Sequence, residues 1–227
     1  MVDLGFDNPD DPALDSTDIF DVSEDQLLSR TYLRLMEGFR PGPDWWQYAL
    51  ETVPGTLEVV VFDYPELLSI LTDEQVAQYG HERLRAAGFA NLAREEPDAE
   101  VIDGVYCLTG SVYTASTALV LPDMIARTSG ETEFPNGVLV SVPERTVLLY
   151  HVPRDESMHE AVQSMVGMTV GAFDDGHKPI SKHLYWWNRG EFSAITRFGE
   201  DDTVEIHIDG EFADAFNRVA DLPAGQG

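Results

Sequence analysis

The chain has 227 residues, with 14 Lys and Arg against 41 Asp and Glu, a formal charge of −27. Phosphate backbones and anionic lipid repel such a surplus, so neither nucleic acid nor a membrane surface is an expected partner. No run approaches the roughly 20 apolar residues of a membrane span, no basic and apolar leader opens the sequence, and the single Cys107 excludes an internal disulfide or a cysteine-cluster metal site. A cytoplasmic protein is the expectation.

The first 25 residues hold nine acids and no base, interrupted by Pro9 and Pro12. Such a segment buries too little to offset its ordering entropy, so residues 1–22 are expected to form a flexible acidic arm. Ser23 to Gln26 reads as a capping box. Leu27, Leu28, Tyr32, Leu35 and Met36 then follow at helical spacing, up to a stop at Gly38 and Pro41-Gly42-Pro43. Trp45-Trp46-Gln47-Tyr48 forms an aromatic segment after Asp44, a candidate N-cap. Leu57 to Phe62 is an apolar, β-branched strand broken only by Glu58. Thr72 and Gln75 make a second capping box, with Val76, Tyr79, Leu84 and Phe89 on the buried side of its helix.

Val101 to Leu108 reads as one strand enclosing Cys107, and Thr114 to Ala126 as a helix that Pro122 kinks or restarts. Val138–Val142 and Thr146–Val152 form a hairpin across Pro143-Glu144-Arg145. Asp155 opens a long helix with Met158, Ala161, Val162, Met165, Met168 and Ala172 at three- and four-residue steps, ended by Asp174-Asp175-Gly176. Leu184–Trp187 and Phe192–Phe198 make a second hairpin around Asn188-Arg189-Gly190. Val204, Ile206 and Ile208 alternate along a last strand, and Glu211–Val219 forms a closing helix. Strands joined by short connections, without regular βαβ alternation, predict an α+β fold. The expected division is an acidic arm at 1–22, a single domain at 23–220 built on a mainly antiparallel mixed sheet packed with helices, and a tail at 221–227.

The segments GVLVSVP, Glu144-Arg145, TVLLYHV, the helix SMHEAVQSMVGMTVGAF, Pro179-Ile180-Ser181 and the following Leu-Tyr strand keep one order. That order resembles the YtpQ-like family of uncharacterised bacterial proteins, over about residues 53 to 199. The resemblance implies a cytosolic α+β domain and carries no catalytic residue.

Phosphate loops, G-x-G-x-x-G, G-x-S-x-G and H-E-x-x-H are all absent, so no catalytic residue and no cofactor is expected and an enzyme is not the leading reading. The leading reading is a non-enzymatic interaction module, of the immunity-protein or antitoxin kind, that meets a basic protein partner. Its candidate contacts are Glu144, Arg145, Trp45, Trp46, Trp186 and Trp187, since an exposed tryptophan is a typical interface anchor. In a tight turn Glu144 and Arg145 should project into solvent, where Arg145 could hold a carboxylate or phosphate through its planar fork. The alternative is a metal-assisted enzyme or small-ligand binder at Asp174, Asp175, His177 and His183, two carboxylates and two imidazoles around one loop. Cys107, without a neighbouring base, reads as a small hydrophobe, and His151 and His159 read as structural histidines rather than general bases.

Overall fold

The structure, a computed structural model, describes residues 22–38, 46–64, 67–199 and 203–220. The acidic arm up to residue 21, Trp45 with its candidate cap Asp44, and the 221–227 tail lie outside the described residues. Among them the chain forms six α-helices, one 3-10 helix and eleven strands in three antiparallel sheets, the α+β class that the pattern predicts.

Helix α1 (Glu24–Arg30) starts on the expected box: Ser23 Oγ accepts from the Gln26 amide at 3.3 Å, and the Gln26 side chain accepts from the Ser23 amide at 3.1 Å. It does not run to Met36 as the spacing suggests. At Thr31 the chain becomes strand β1 (Thr31–Glu37), paired along its length with β2 (Thr56–Asp63) from Thr31↔Phe62 to Glu37↔Thr56. The segment satisfies two periods at once. Tyr32, Leu35 and Met36 suit a helix, whereas Thr31, Leu33 and Leu35 alternate as a strand, and pairing with the fully buried β2 decides between them.

Strand β3 (Leu68–Ile70) completes a three-stranded sheet in the order β1-β2-β3. The Thr72–Gln75 box caps α2 (Asp73–Tyr79), and after a bend at Gly80 the chain continues as a separate helix, α3 (His81–Leu92), across β1. Val76 and Leu84 are buried as expected, while Tyr79 and Phe89 are half-buried. At the crossing, Gly88 lies so close to β1 that a methyl group there would stand 2.7 Å from Leu33 Cγ and 2.9 Å from its backbone nitrogen. The interruption at Glu58 is resolved on the same face: Arg85 of α3 reaches its carboxylate at 2.6 Å and 3.2 Å. Asn91 donates to Leu28 O at 2.8 Å and Thr31 O at 2.7 Å, holding the junction of α1 and β1.

The predicted strand over 101–108 is instead a hairpin, β4 (Asp98–Ile102) and β5 (Val105–Thr109). Asp103 and Gly104 have φ of 50° and 76°, the two positive values a type I′ turn requires, and Gly adopts its share without steric cost. A 3-10 helix (Ala115–Val120) follows, and Pro122 opens α4 (Leu121–Thr128) in its first turn, where its missing N–H costs nothing. Strands β6 (Val138–Ser141) and β7 (Val147–His151) form the expected hairpin. Helix α5 (Met158–Asp174) buries Met158, Ala161, Val162 and Met165 as the spacing predicts. Strands β8 (Leu184–Asn188) and β9 (Glu191–Ala194) pair across Arg189-Gly190, completing a six-stranded sheet ordered β4-β5-β7-β6-β8-β9.

The expected run to Phe198 divides at Ile195. Beyond it, β10 (Thr196–Phe198) pairs with β11 (Val204–Ile206), and the last described element is α6 (Gly210–Ala220). The large sheet carries a core on each face. Leu139, Leu149, Leu184 and Trp186 meet α5 and α6, while Leu108, Val140, Leu148, Tyr150 and Tyr185 join the small sheet, the 3-10 helix and α4. No helix among the described residues is long and apolar enough to cross a membrane.

Candidate functional site

Glu144 and Arg145 do not stand free in solvent as a tight turn would leave them; both are half-buried. Residues 142–145 run beside 178–181: the Arg145 amide donates to Lys178 O at 3.3 Å, and Ile180 and Ser181 donate to Pro143 O and Val142 O at 2.9 Å and 3.3 Å. Glu144 folds back on its own loop, accepting from the Thr146 amide at 2.9 Å and from the Thr146 hydroxyl. On the opposite side, Arg145 O accepts from the Ala115 amide at 3.1 Å, at the start of the 3-10 helix. The backbone of Arg145 is thus clamped between two segments.

The same 3-10 helix borders the outer edge of β1, where the Leu35 amide donates to Ser116 Oγ at 3.0 Å. Leu33 and Leu35 face α3, so by strand alternation Tyr32 and Arg34 lie on the other face, which Asp63 of β2 shares. Tyr113 stacks on Tyr32 with ring centroids 4.1 Å apart and planes 12° apart. Arg34 Nε and the Tyr113 hydroxyl are both buried without a hydrogen-bond partner. Among the described residues, no carboxylate forms an ion pair with Arg34 or Arg145.

Burial, and then the charge of nearby Arg145, hold the Arg34 guanidinium below its ordinary pKa. Burial drives the Tyr113 phenol upward, with Asp63 and Tyr32 adding to it, so the group stays protonated and able to donate. The Asp63 carboxyl is raised by burial and partly restored by the Tyr113 hydroxyl and Arg30; it lies close enough to feel the phenol but outside full hydrogen-bond geometry. Arg34, Tyr32, Tyr113 and Asp63 belong to no motif. The one sequence signal was the placement of an arginine inside a strand, and the helical reading of that segment hid it.

The four residues considered for a metal are not assembled. Asp174, Asp175 and His177 are exposed at and beyond the end of α5. His183 turns away, its Nδ1 3.0 Å from Thr196 O and its ring edge-on to Phe198 at 5.3 Å. Among the described residues no three His, Cys, Asp or Glu side chains form a group that could hold a metal ion.

Of the described tryptophans proposed as anchors, Trp46 and Trp186 are buried in packing. Trp46 is 4% and Trp186 7% exposed, and Trp186 donates to Asn136 O at 3.0 Å while packing on Phe212. Trp187 is half-buried, edge-to-face with Phe134 at 5.7 Å. Cys107 is half-buried, and burial with the Glu100 charge pushes its thiol pKa up, away from nucleophilic behaviour. His151 Nδ1 sits 2.8 Å from Gly104 O, while its Nε2 is buried without a partner, as in a neutral ring that donates from Nδ1.

The exposed apolar foothold lies elsewhere, on β4. This edge strand is exposed along its whole length, with Val101 at 54% and Ile102 at 41%. Asp98 and Glu100 share the strand, and Glu96 and Asp103 flank it, all exposed. No family model, curated protein or solved structure matches the chain, so the resemblance described above rests on its residues alone.

Proposed function

We propose that the protein is a non-enzymatic interaction module that docks on a basic protein partner through its β4 edge. The observation that carries this reading is an outer strand open on both faces, bearing two exposed apolar side chains among carboxylates. An edge strand offers unpaired backbone donors and acceptors to an incoming extended segment, and alternate side chains then select its chemistry. Here the selection is for positive charge. The −27 surplus steers such a partner, and Val101 and Ile102 supply apolar contact once it has arrived.

Five of the 14 cations are engaged within the chain, which supports an acidic exterior. Arg83, Arg85 and Arg154 pair with Glu24, Glu58 and Glu131; Arg127 donates to Ala93 O and Glu95 O; Lys182 lies over the Phe198 ring at 4.1 Å.

The test is affinity capture from the protein's own cell lysate at low and high salt, with wild type and Val101→Lys, followed by amide hydrogen exchange on the recovered complex. A basic partner should be held at low salt, released at high salt, lost with V101K, and should protect amides 98–102. Capture that ignores salt, survives V101K or leaves those amides unprotected refutes the reading, as does failure to recover any basic protein.

A further inference from the structure

We propose that the junction between β1 and the Glu144–Arg145 loop is a binding site for a small oxyanion, a carboxylate or phosphate group held by Arg34 and Arg145 with the Tyr113 hydroxyl as a third donor. This goes beyond the docking edge and involves none of its residues.

Arg34 is half-buried, with its Nε sealed from solvent and without a partner. A guanidinium taken out of water without a partner is costly, and natural chains pair it or leave it solvated. Among the described residues, carboxylates pair with three other arginines, yet none forms an ion pair with Arg34 or Arg145. The fold places these two like charges near each other. Asp63, the carboxylate on the same sheet face, forms no ion pair with either arginine. The missing component is negative, and no described carboxylate provides it.

The chemistry of the donors narrows what fits. Each guanidinium presents planar, fork-shaped N–H groups matched to two oxygens of one anion, and Tyr113 adds one O–H from a residue only 4% exposed. All three donors sit on fixed supports. Arg145 is clamped through both its amide and its carbonyl, the Ser116 bond to the Leu35 amide ties β1 to the 3-10 helix, and stacking on Tyr32 fixes the Tyr113 ring. Such pre-organisation favours binding, because the backbone supports and the Tyr113 ring have little freedom left to lose when the ligand arrives. A planar carboxylate and a tetrahedral phosphate both satisfy this donor set, so the experiment separates them.

Thermal melting and titration calorimetry on the full chain, at constant ionic strength, would compare sodium phosphate, sodium acetate and sodium chloride. Phosphate or acetate should raise the melting midpoint of the wild type relative to chloride. The responding anion assigns the ligand class. Arg145→Gln should weaken its binding at least tenfold and Tyr113→Phe several-fold, while Arg83→Gln, at a surface pair elsewhere, should change nothing. Arg34→Met should abolish the response and, in chloride, melt no lower than wild type, because an unpaired, half-buried charge has been removed. If R34M does not fold, R145Q and Y113F carry the test. No response to either anion at tens of millimolar, or a response that R145Q and Y113F leave intact, overturns the proposal.

Discussion

Removal of the Arg85 side chain tests how the buried glutamate of β2 is accommodated. Arg85→Met keeps most of the aliphatic volume beside Phe89 but deletes both bonds to Glu58. The Glu58 carboxylate, with 1% of its side-chain surface exposed, is then left with the Thr52 hydroxyl at 2.5 Å. Breaking a buried pair from one side costs about 3–5 kcal/mol. Arg85 retains 20% of its side-chain surface, which places the cost near the lower end, about 3 kcal/mol. At about 2–4 °C per kcal/mol for a chain of this size, the midpoint should fall by about 6–12 °C. Urea unfolding followed by tryptophan fluorescence gives the free energy directly. The double variant Glu58→Gln/Arg85→Met removes the orphaned charge while keeping an acceptor for Thr52, and should recover at least half of the loss. A cost below about 1 kcal/mol for R85M, or a double variant no more stable than R85M, would refute the view that α3 is fastened to the sheet by compensation of a buried charge.

Three further outcomes follow from the packing. Gly88→Ala gains about 1 kcal/mol of helix propensity, but its methyl meets Leu33 and the β1 backbone at 2.7–2.9 Å, so α3 must move and net destabilisation by urea unfolding is expected. A stabilised G88A would show that the crossing is looser than described. Asn91→Ala leaves Leu28 O and Thr31 O without their side-chain donor, a loss of about 1–3 kcal/mol that should appear with faster amide exchange in α1; unchanged exchange there would contradict the latch. His151 is held below the ordinary histidine value by burial, against opposing effects of the Gly104 carbonyl, Asp155 and Glu131. Its contribution is therefore complete above the unfolded value of about 6.5 and lost as pH falls through the lower folded value. His151→Gln should flatten the stability profile in that window; an unchanged slope would show that other groups set it.

Where one period and one cap agreed, the sequence was a reliable guide. The boxes at Ser23 and Thr72, the Met-rich face of α5 and the β6–β7 hairpin all combine a local hydrogen-bond device with a single hydrophobic repeat. Misreadings fell where two signals competed. Residues 31–37 fit both a helix and a strand, and only pairing with β2, some 25 residues away, selects between them. Asp103-Gly104 was a hairpin signal inside what looked like a continuous apolar run. The candidate site was the least legible part. Glu144 and Arg145 were visible, but their clamp comes from residues 115 and 178, and Arg34 joins them through a 3-10 helix some eighty residues further along. The apparent metal cluster shows the converse: closeness in sequence around Gly176 does not bring His183 to the carboxylates, because its ring is committed to Thr196 and Phe198.

The strand order of the large sheet has a consequence for how the chain acquires its shape. Both β4–β5 and β6–β7 are hairpins that can close locally, but β7 lies between β5 and β6, so the two must meet along a seam marked by the parallel rings of Tyr106 and Tyr150, 4.7 Å apart. The segment bridging them includes α4, whose Thr128 hydroxyl lies 2.6 Å from that of Tyr150. The seam and the docking of α4 are therefore completed together. Loop-closure entropy therefore predicts that the β5–β7 ladder forms after the β4–β5 and β6–β7 hairpins, an order that pulse-labelled amide exchange during refolding would check.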